Sequence, residues 1–379
     1  MANAANLVNF GTAGGSLAVG DWIYSTTNLT SPTYLPLTDE YASYLASSYP
    51  TLAPLYTTPV TAYSGTAYTI TGSSVNLQNI AYGNGMWVAG DASGIAYVLS
   101  SPDGINWTRR AATCPVNRIV YGNGRFIGFS QGSVAVTYSL DGISWLAGTP
   151  NTTGMYSAVY GNGNFIAFND GGGSATAYLS SNATTWRTIN TSYSDLTIGA
   201  YGNGTFVLVA GLSASGQAVY SKDGGNTWSL GGFPSANGAS GITYGNGVFV
   251  TAPANASNVY FTSPDGITWT QRTFPITTGW ATTGRTITFG NGVFFAVSST
   301  NGTIGYSSPD GITWTARTLP ATRVWNAICF GGPPNNGYFV AVTTSTQTAN
   351  LYLSVAQTSF TLPLISKIVA NTTPYIKAS

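Results

Sequence analysis

A chain of 379 residues that is 43% hydrophobic and 13% aromatic has enough apolar material for a large packed domain and too much for a disordered one. Only 6% of it is charged, against roughly 25% in ordinary soluble domains, and 12 Lys and Arg nearly balance 11 Asp and Glu. That balance gives no field to hold nucleic acid or an anionic membrane, and the absence of His removes His-based triads, proton shuttles and metal ligands together.

Other classes fall away on similar grounds. Cys114 and Cys329 are too few for a disulfide framework or a Cys-rich zinc site. No run of 18 apolar residues predicts a membrane helix, so no membrane insertion is expected, and MANAANLVNF has no basic residue ahead of an apolar run, unlike a secretory signal. No cofactor or metal is expected. The surface must be mostly Ser, Thr, Asn and Gly, a composition typical of exposed adhesins and viral surface proteins.

Residues 1–65 read as a small attachment segment. Thr38 as N-cap, Asp39 and Glu40 in the first turn, then Tyr41, Tyr44 and Leu45 at helical spacing predict one short helix stopped by Pro50. Within GDWIYSTTNLTSPTYLPL and YLASSYPTLAPLY, the residues Gly20, Asp21, Tyr34, Leu35, Pro36, Tyr49, Pro50 and Leu52 make up a pattern. It resembles the tail-collar motif of bacteriophage tail fibre proteins, although Leu-Thr-Asp stands where that family usually has Cys-Asp-Gly. The resemblance covers about 35 residues. It implies a virion protein, made in the host cytoplasm, whose N-terminal part docks to other virion proteins. Members of that family often oligomerise, which leaves a homo-oligomer open.

From residue 66 onward the chain repeats. An aromatic-Gly-Asn-Gly-x-aromatic motif starts at Tyr82, Tyr121, Tyr160, Tyr201, Tyr244 and Phe289, and an interrupted copy, FGGPPNNGYFV, starts at Phe330. The steps are 39, 39, 41, 43, 45 and 41 residues. A second motif, Ser-x-Asp-Gly-x-x-Trp, follows at Trp107, Trp145, Trp269 and Trp314, with one extra residue in the copy ending at Trp228. SSNATTW at Trp186 and SVAQTSF at Phe360 keep the spacing without the Asp and Gly. Asn-Gly and Asp-Gly favour tight hairpins, and the flanking residues alternate, so each unit of about 40 residues reads as a four-stranded antiparallel meander, a–b–c–d.

Such units predict an all-β, seven-bladed β-propeller of four-stranded antiparallel blades over 66–379, after the anchoring segment 1–65. The aromatics at fixed positions would fill the gaps between neighbouring sheets. The second motif also resembles the Asp-box of sialidase-type propellers, which Ser221, Asp223, Gly225, Thr227 and Trp228 match in full. Residues 66–73 could supply an outer strand to the last blade, since Tyr68 precedes Tyr82 by the 14 residues that separate Trp107 from Tyr121. Phe360 already holds the Trp position of the seventh unit, however, which leaves either residues 66–73 or the tail SKIVANTTPYIKAS to pack on an edge.

The topology sorts residues by face. All a–b and c–d turns fall at one end, so Asp103, Asp141, Asp223, Asp265 and Asp310 are expected to be structural, each bonding nearby backbone N–H groups. The long, dissimilar b–c and d–a connections fall at the other end, where recognition usually sits. Asp91, Tyr156, Asp170, Tyr193, Asp195, Trp280, Arg285, Arg323 and Trp325 lie in or beside those connections and are the candidate receptor-binding residues, aromatic platforms for sugar rings with a few polar groups to orient them. The sialidase resemblance would require an arginine cluster, a Tyr nucleophile with a Glu partner and an Asp acid, but the only Glu in the chain is Glu40. The expected function is therefore a non-enzymatic phage tail or fibre protein whose loop face binds a host-surface glycan or protein. A purely architectural virion role is the alternative, with glycan processing behind both.

Overall fold

The computed structural model describes residues 76–354 except 131–134, 149–154, 169–174, 192, 194–195, 211–216, 255–256, 276–285, 299–301, 333–336 and 344–349. Outside that stretch it describes strand segments 8–9, 22–25, 34–36, 43–45, 64–68, 359–361 and 373–377. Contacts divide the chain into two units, residues 63–355 and residues 1–62 with 356–379.

Each copy of the first motif folds as a tight two-residue turn. Asn84, Asn123, Asn162, Asn203, Asn246 and Asn291 take φ of 44° to 49°, and the Gly after each takes 73° to 79°. This is the turn whose twist matches antiparallel strands. The Gly before each Asn has a different reason to be Gly. A β-carbon on Gly83 would lie 2.2 Å from the Tyr121 ring, and one on Gly202 would lie 2.0 Å from the Tyr244 ring. The aromatic that opens each motif thus lies flat on the backbone of the preceding sheet. The contact runs all the way round, because Gly331 meets Tyr82 in the same way, at 2.2 Å.

Residues 77–111, 118–147, 157–190, 196–230, 239–273 and 287–323 each make a continuous a–b–c–d meander. The expectation of seven such blades is corrected to six. The seventh copy of the repeat supplies only three strands, Trp325–Gly331, Tyr338–Thr343 and Asn350–Ser354. At the matching positions SVAQTSF lacks the Asp or Asn acceptor and the Gly or Ala of the other c–d turns. Phe360, expected at the Trp position of a seventh blade, lies instead in Ser359–Thr361, paired with Ser43–Leu45. Ser64–Tyr68, which precedes the first blade in sequence, pairs with Asn350–Ser354 and completes a closing sheet. That sheet stands between the sixth blade and the first.

Every gap between neighbouring sheets holds its own apolar cluster. One example is Val88, Val98, Val116, Ile119, Phe126 and Trp145 between the first two blades. Leu77, Trp87, Leu99, Ala327, Val340 and Val342 fill the gap that closes the ring. Trp87, Phe126, Phe165, Phe206, Phe249, Phe294 and Phe339, the second aromatics of the motif, are all fully buried. Each such ring contributes about 1.5–3 kcal/mol.

The sequence boundary at 65/66 put the C-terminal tail with the propeller, but strand pairing puts it with the N-terminal segment. Thr373–Lys377 lies between Trp22–Ser25 and Tyr34–Pro36, and Val8–Asn9 extends that sheet. The helix expected after Thr38 is also corrected, since Ser43–Leu45 is a strand. A partner strand five sixths of the chain away overrides a local helical pattern that rests on a few residues.

Candidate functional site

The propeller has two unlike faces. On one, the tight turns bind each other across the blades. The Asn84 side-chain amide donates to Leu140 O at 3.2 Å, Asn123 to Ser181 O at 3.0 Å and Asn246 to Pro309 O at 2.8 Å. Each bond joins the a–b turn of one blade to the c–d turn of the next.

The turn carboxylates are used up by their own loops. Asp310 Oδ1 accepts from the N–H of Ile312 at 2.8 Å and of Thr313 at 2.7 Å, and from Ser308 Oγ at 2.8 Å. Asp103, Asp141, Asp223 and Asp265 repeat the arrangement. Partial burial raises the Asp103 and Asp223 pKa, but hydrogen bonds to the charged form outweigh it and bring both down to about 2. Bonds from Ser144 and Ile143 lower Asp141, and Asp265 and Asp310 are lowered by bonds that outweigh burial. In the third blade Asn182 takes the Asp role, accepting from the Thr184 and Thr185 N–H groups at 3.0 and 2.9 Å. Ala183 holds the Gly position with φ of 60°.

The opposite face carries the long connections. Asp91 is buried there. Its Oδ2 accepts from the Tyr97 hydroxyl at 2.5 Å and its Oδ1 from the Ser93 N–H at 2.7 Å. Burial and then the Asp91 bond push the Tyr97 pKa up. Tyr156 is buried at the start of the third blade, where its hydroxyl accepts from Arg118 Nη2 at 2.8 Å and its ring lies 5.0 Å from Arg118 Cζ. Arg118 Nη1 reaches back to the first blade, to the Gln78 carbonyl and side-chain oxygens at 3.3 Å each. Tyr193 is half-buried against the cluster between the third and fourth blades. Arg323 is half-buried on the outer strand of the sixth blade. Trp325 is fully buried, with Nε1 donating to Gly302 O at 3.3 Å, so it is core rather than an exposed platform. Asp170, Asp195, Trp280 and Arg285 lie outside the described residues.

The structure thus joins Tyr156 to two residues that sequence reasoning passed over, Arg118 and Gln78, and leaves Asp91, Tyr193, Arg323 and Trp325 apart from them. A signal was present. Counting back from the aromatic of each turn motif, the fourth residue is polar in every copy.

Three further features bear on the face assignment. Ser64 pairs with Ser354, so the first residue of one strand and the last of the other stand at the turn-face end of the closing sheet. A cavity of about 240 Å³ lies among the innermost strands, lined by Ile80, Ala200, Ile242, Ile287, Ile328 and Cys329 among others. Cys114 and Cys329 are both free thiols, and burial raises the Cys114 pKa.

Comparison with known proteins addresses the fold. Residues 231–359, less than half of the chain, match the DUF6242 beta propeller domain. No curated protein sequence matches the chain. Among solved structures, virginiamycin B lyase from Staphylococcus aureus is similar at a TM-score of 0.64 and 11% identity, over 78% of this chain and 100% of that one. YCF48 from Cyanidioschyzon merolae is similar at 0.55 and 12%, over 76% and 98%. The WD40 beta propeller domain of Doa1 is similar at 0.56 and 11%, over 79% and 99%. Identities this low establish a shared propeller fold and nothing finer.

Proposed function

We propose that this protein is a non-enzymatic bacteriophage tail or fibre component. Its N-terminal region docks to other virion proteins, and its loop face binds a host-surface receptor, a glycan. The observation that carries the reading is the division of labour between faces. Repeated turns bond across blades on one face, and the segments that differ in sequence from blade to blade join the strand ends of the other. The tail-collar resemblance of Gly20, Asp21, Tyr34, Leu35, Pro36, Tyr49, Pro50 and Leu52 supports the particle assignment. Against glycan processing stands the chemistry of the acids. Two carboxylates must flank a scissile bond, and among the described propeller residues the five turn Asp side chains are taken by backbone amides and Asp91 by Tyr97.

The test uses the purified full chain. It should adsorb to host cells and block phage attachment, and Trp280→Ala with Arg285→Ala should abolish both. Adsorption that survives a full set of loop changes overturns the reading. Burial of Asp91, Tyr156 and Trp325 favours the architectural alternative, which predicts no adsorption and a position between other virion proteins.

A further inference from the structure

The innermost strands share an irregularity that hairpin geometry does not require. In four sheets the register slips at one place, leaving one residue out of the ladder: Gln78, Thr197, Ser240 and Asn326. In the second and third blades the same position behaves alike. The Asn117 N–H donates to Phe129 O, which also faces Arg118, and the Tyr156 N–H donates to Phe168 O, which also faces Ser157. All six residues stand four before the aromatic of the turn motif, at the loop-face end of the strand. All six are polar, although the residues just before them are Leu77, Val116, Met155, Leu196, Ala239 and Trp325, all apolar.

Bulges of this kind recur at barrel rims and beside binding sites, where they re-aim a side chain. Here they set polar residues at the loop-face end of the innermost strands, Gln78, Ser240 and Asn326 standing two residues before Ile80, Ile242 and Ile328, which line the 240 Å³ cavity of the channel between those strands; Tyr156, Ser240 and Asn326 are buried. Part of the set is already built into a network. Arg118 links Gln78 to Tyr156 across three blades, Asn326 Nδ2 donates to Leu77 O at 3.4 Å, and Ser240 shares a 2.8 Å bond with Thr286. Beside Gln78, Asn79 is fully buried. Its Oδ1 accepts the Ile119 N–H at 2.8 Å, while its Nδ2 has no protein partner. Gln78, Asn117 and Thr197 remain half-exposed. None of the six is a carboxylate, so the set suits a ligand rich in hydroxyl acceptors and donors and without positive charge.

We infer that the loop-face mouth of the channel, where Gln78, Asn117 and Thr197 stand half-exposed, is a saccharide-binding site that takes the end of a glycan. The inference rests on the receptor-binding reading above and narrows it from the outer loops to the channel mouth. The experiment is saturation-transfer NMR on the full chain with glucose, galactose, mannose, rhamnose, N-acetylglucosamine and glucuronate, run beside host-cell adsorption. At least one sugar should receive saturation, and Gln78→Ala and Thr197→Ala should each weaken its binding about tenfold at unchanged melting temperature. Bound sugar should also slow hydrogen exchange at 77–80 and 196–199 in the unmutated protein, a readout that survives a variant that folds poorly. No transfer from any sugar, or transfer untouched by both changes, overturns the channel-mouth site. If adsorption persists in that case, the receptor-binding reading stands, whereas absent adsorption removes both.

Discussion

The turn face and the loop face are built from the same strands and differ in what ends them. In the six blades the turn face solves its steric problems in nearly one way: Asn then Gly at positive φ, Gly under the next aromatic ring, and a side-chain oxygen gathering amides, from Asp in five blades and from Asn182 in the third. On the loop face the connecting segments differ in sequence from blade to blade. A surface of repeated, cross-bonded turns thus backs a variable one, which is how loops on a scaffold become free to specialise.

The largest expected effect breaks the repeated half. Gly331→Ala would push a β-carbon into the Tyr82 ring at the ring-closing contact, and should cost about 3 kcal/mol in urea unfolding. Gly85→Ala meets nothing within 4 Å and strains only φ, so about 1 kcal/mol is expected. Equal losses would mean that the aromatic–glycine contact does not hold the ring. On the variable half, Trp280→Ala with Arg285→Ala should remove host adsorption and leave the melting temperature unchanged.

Smaller effects sharpen the account of the turns. Asp310→Ala should destabilise by about 1–2 kcal/mol in thermal melts, and Asp310→Asn by less, since Asn182 already does the same work in the third blade. The acid response has a definite sign. The folded-state pKa values of the turn carboxylates lie below their unfolded values, so the unfolded chain binds protons more readily. Their stabilisation is whole above about pH 4 and is lost as the pH falls toward about 2. Asp103→Asn should flatten that acid slope, and an unchanged slope would contradict the hydrogen-bond account. Least of all, Ala183→Gly relieves φ of 60° and should stabilise by about 0.5–1 kcal/mol, less any packing lost with the buried methyl.

What the sequence made legible follows from the same contrast. Tyr82, Asn84, Gly85 and Trp87 recur at fixed spacing because local sterics fix them, so strand order and turn placement could be read directly. Ring closure could be read only as a choice. Residues 66–73 are one candidate for the outer strand of the last sheet, and the place of Ser64–Tyr68 beside Asn350–Ser354 is decided by a pairing between distant parts of the chain. The strand at Ser43–Leu45 was hidden for the same reason, its partner lying at Ser359–Thr361. At the candidate site, composition pointed to aromatics and acids near loops but could not tell Trp325, which the strand register turns into the core, from an exposed ring. Gln78 and Asn117 were missed because the polar residue four before each turn aromatic gains its meaning only from strand pairing, which shows the strand irregular there.

The central claim is that the loop face meets the receptor while the turn face stays idle. The direct test places a photo-crosslinking amino acid at Trp280 in one preparation of the full chain and at Asn123, on the turn face, in another, and exposes both to host cells. Crosslinks to cell-surface material from position 280 alone are the predicted result, and crosslinks from position 123 with none from 280 would contradict the account.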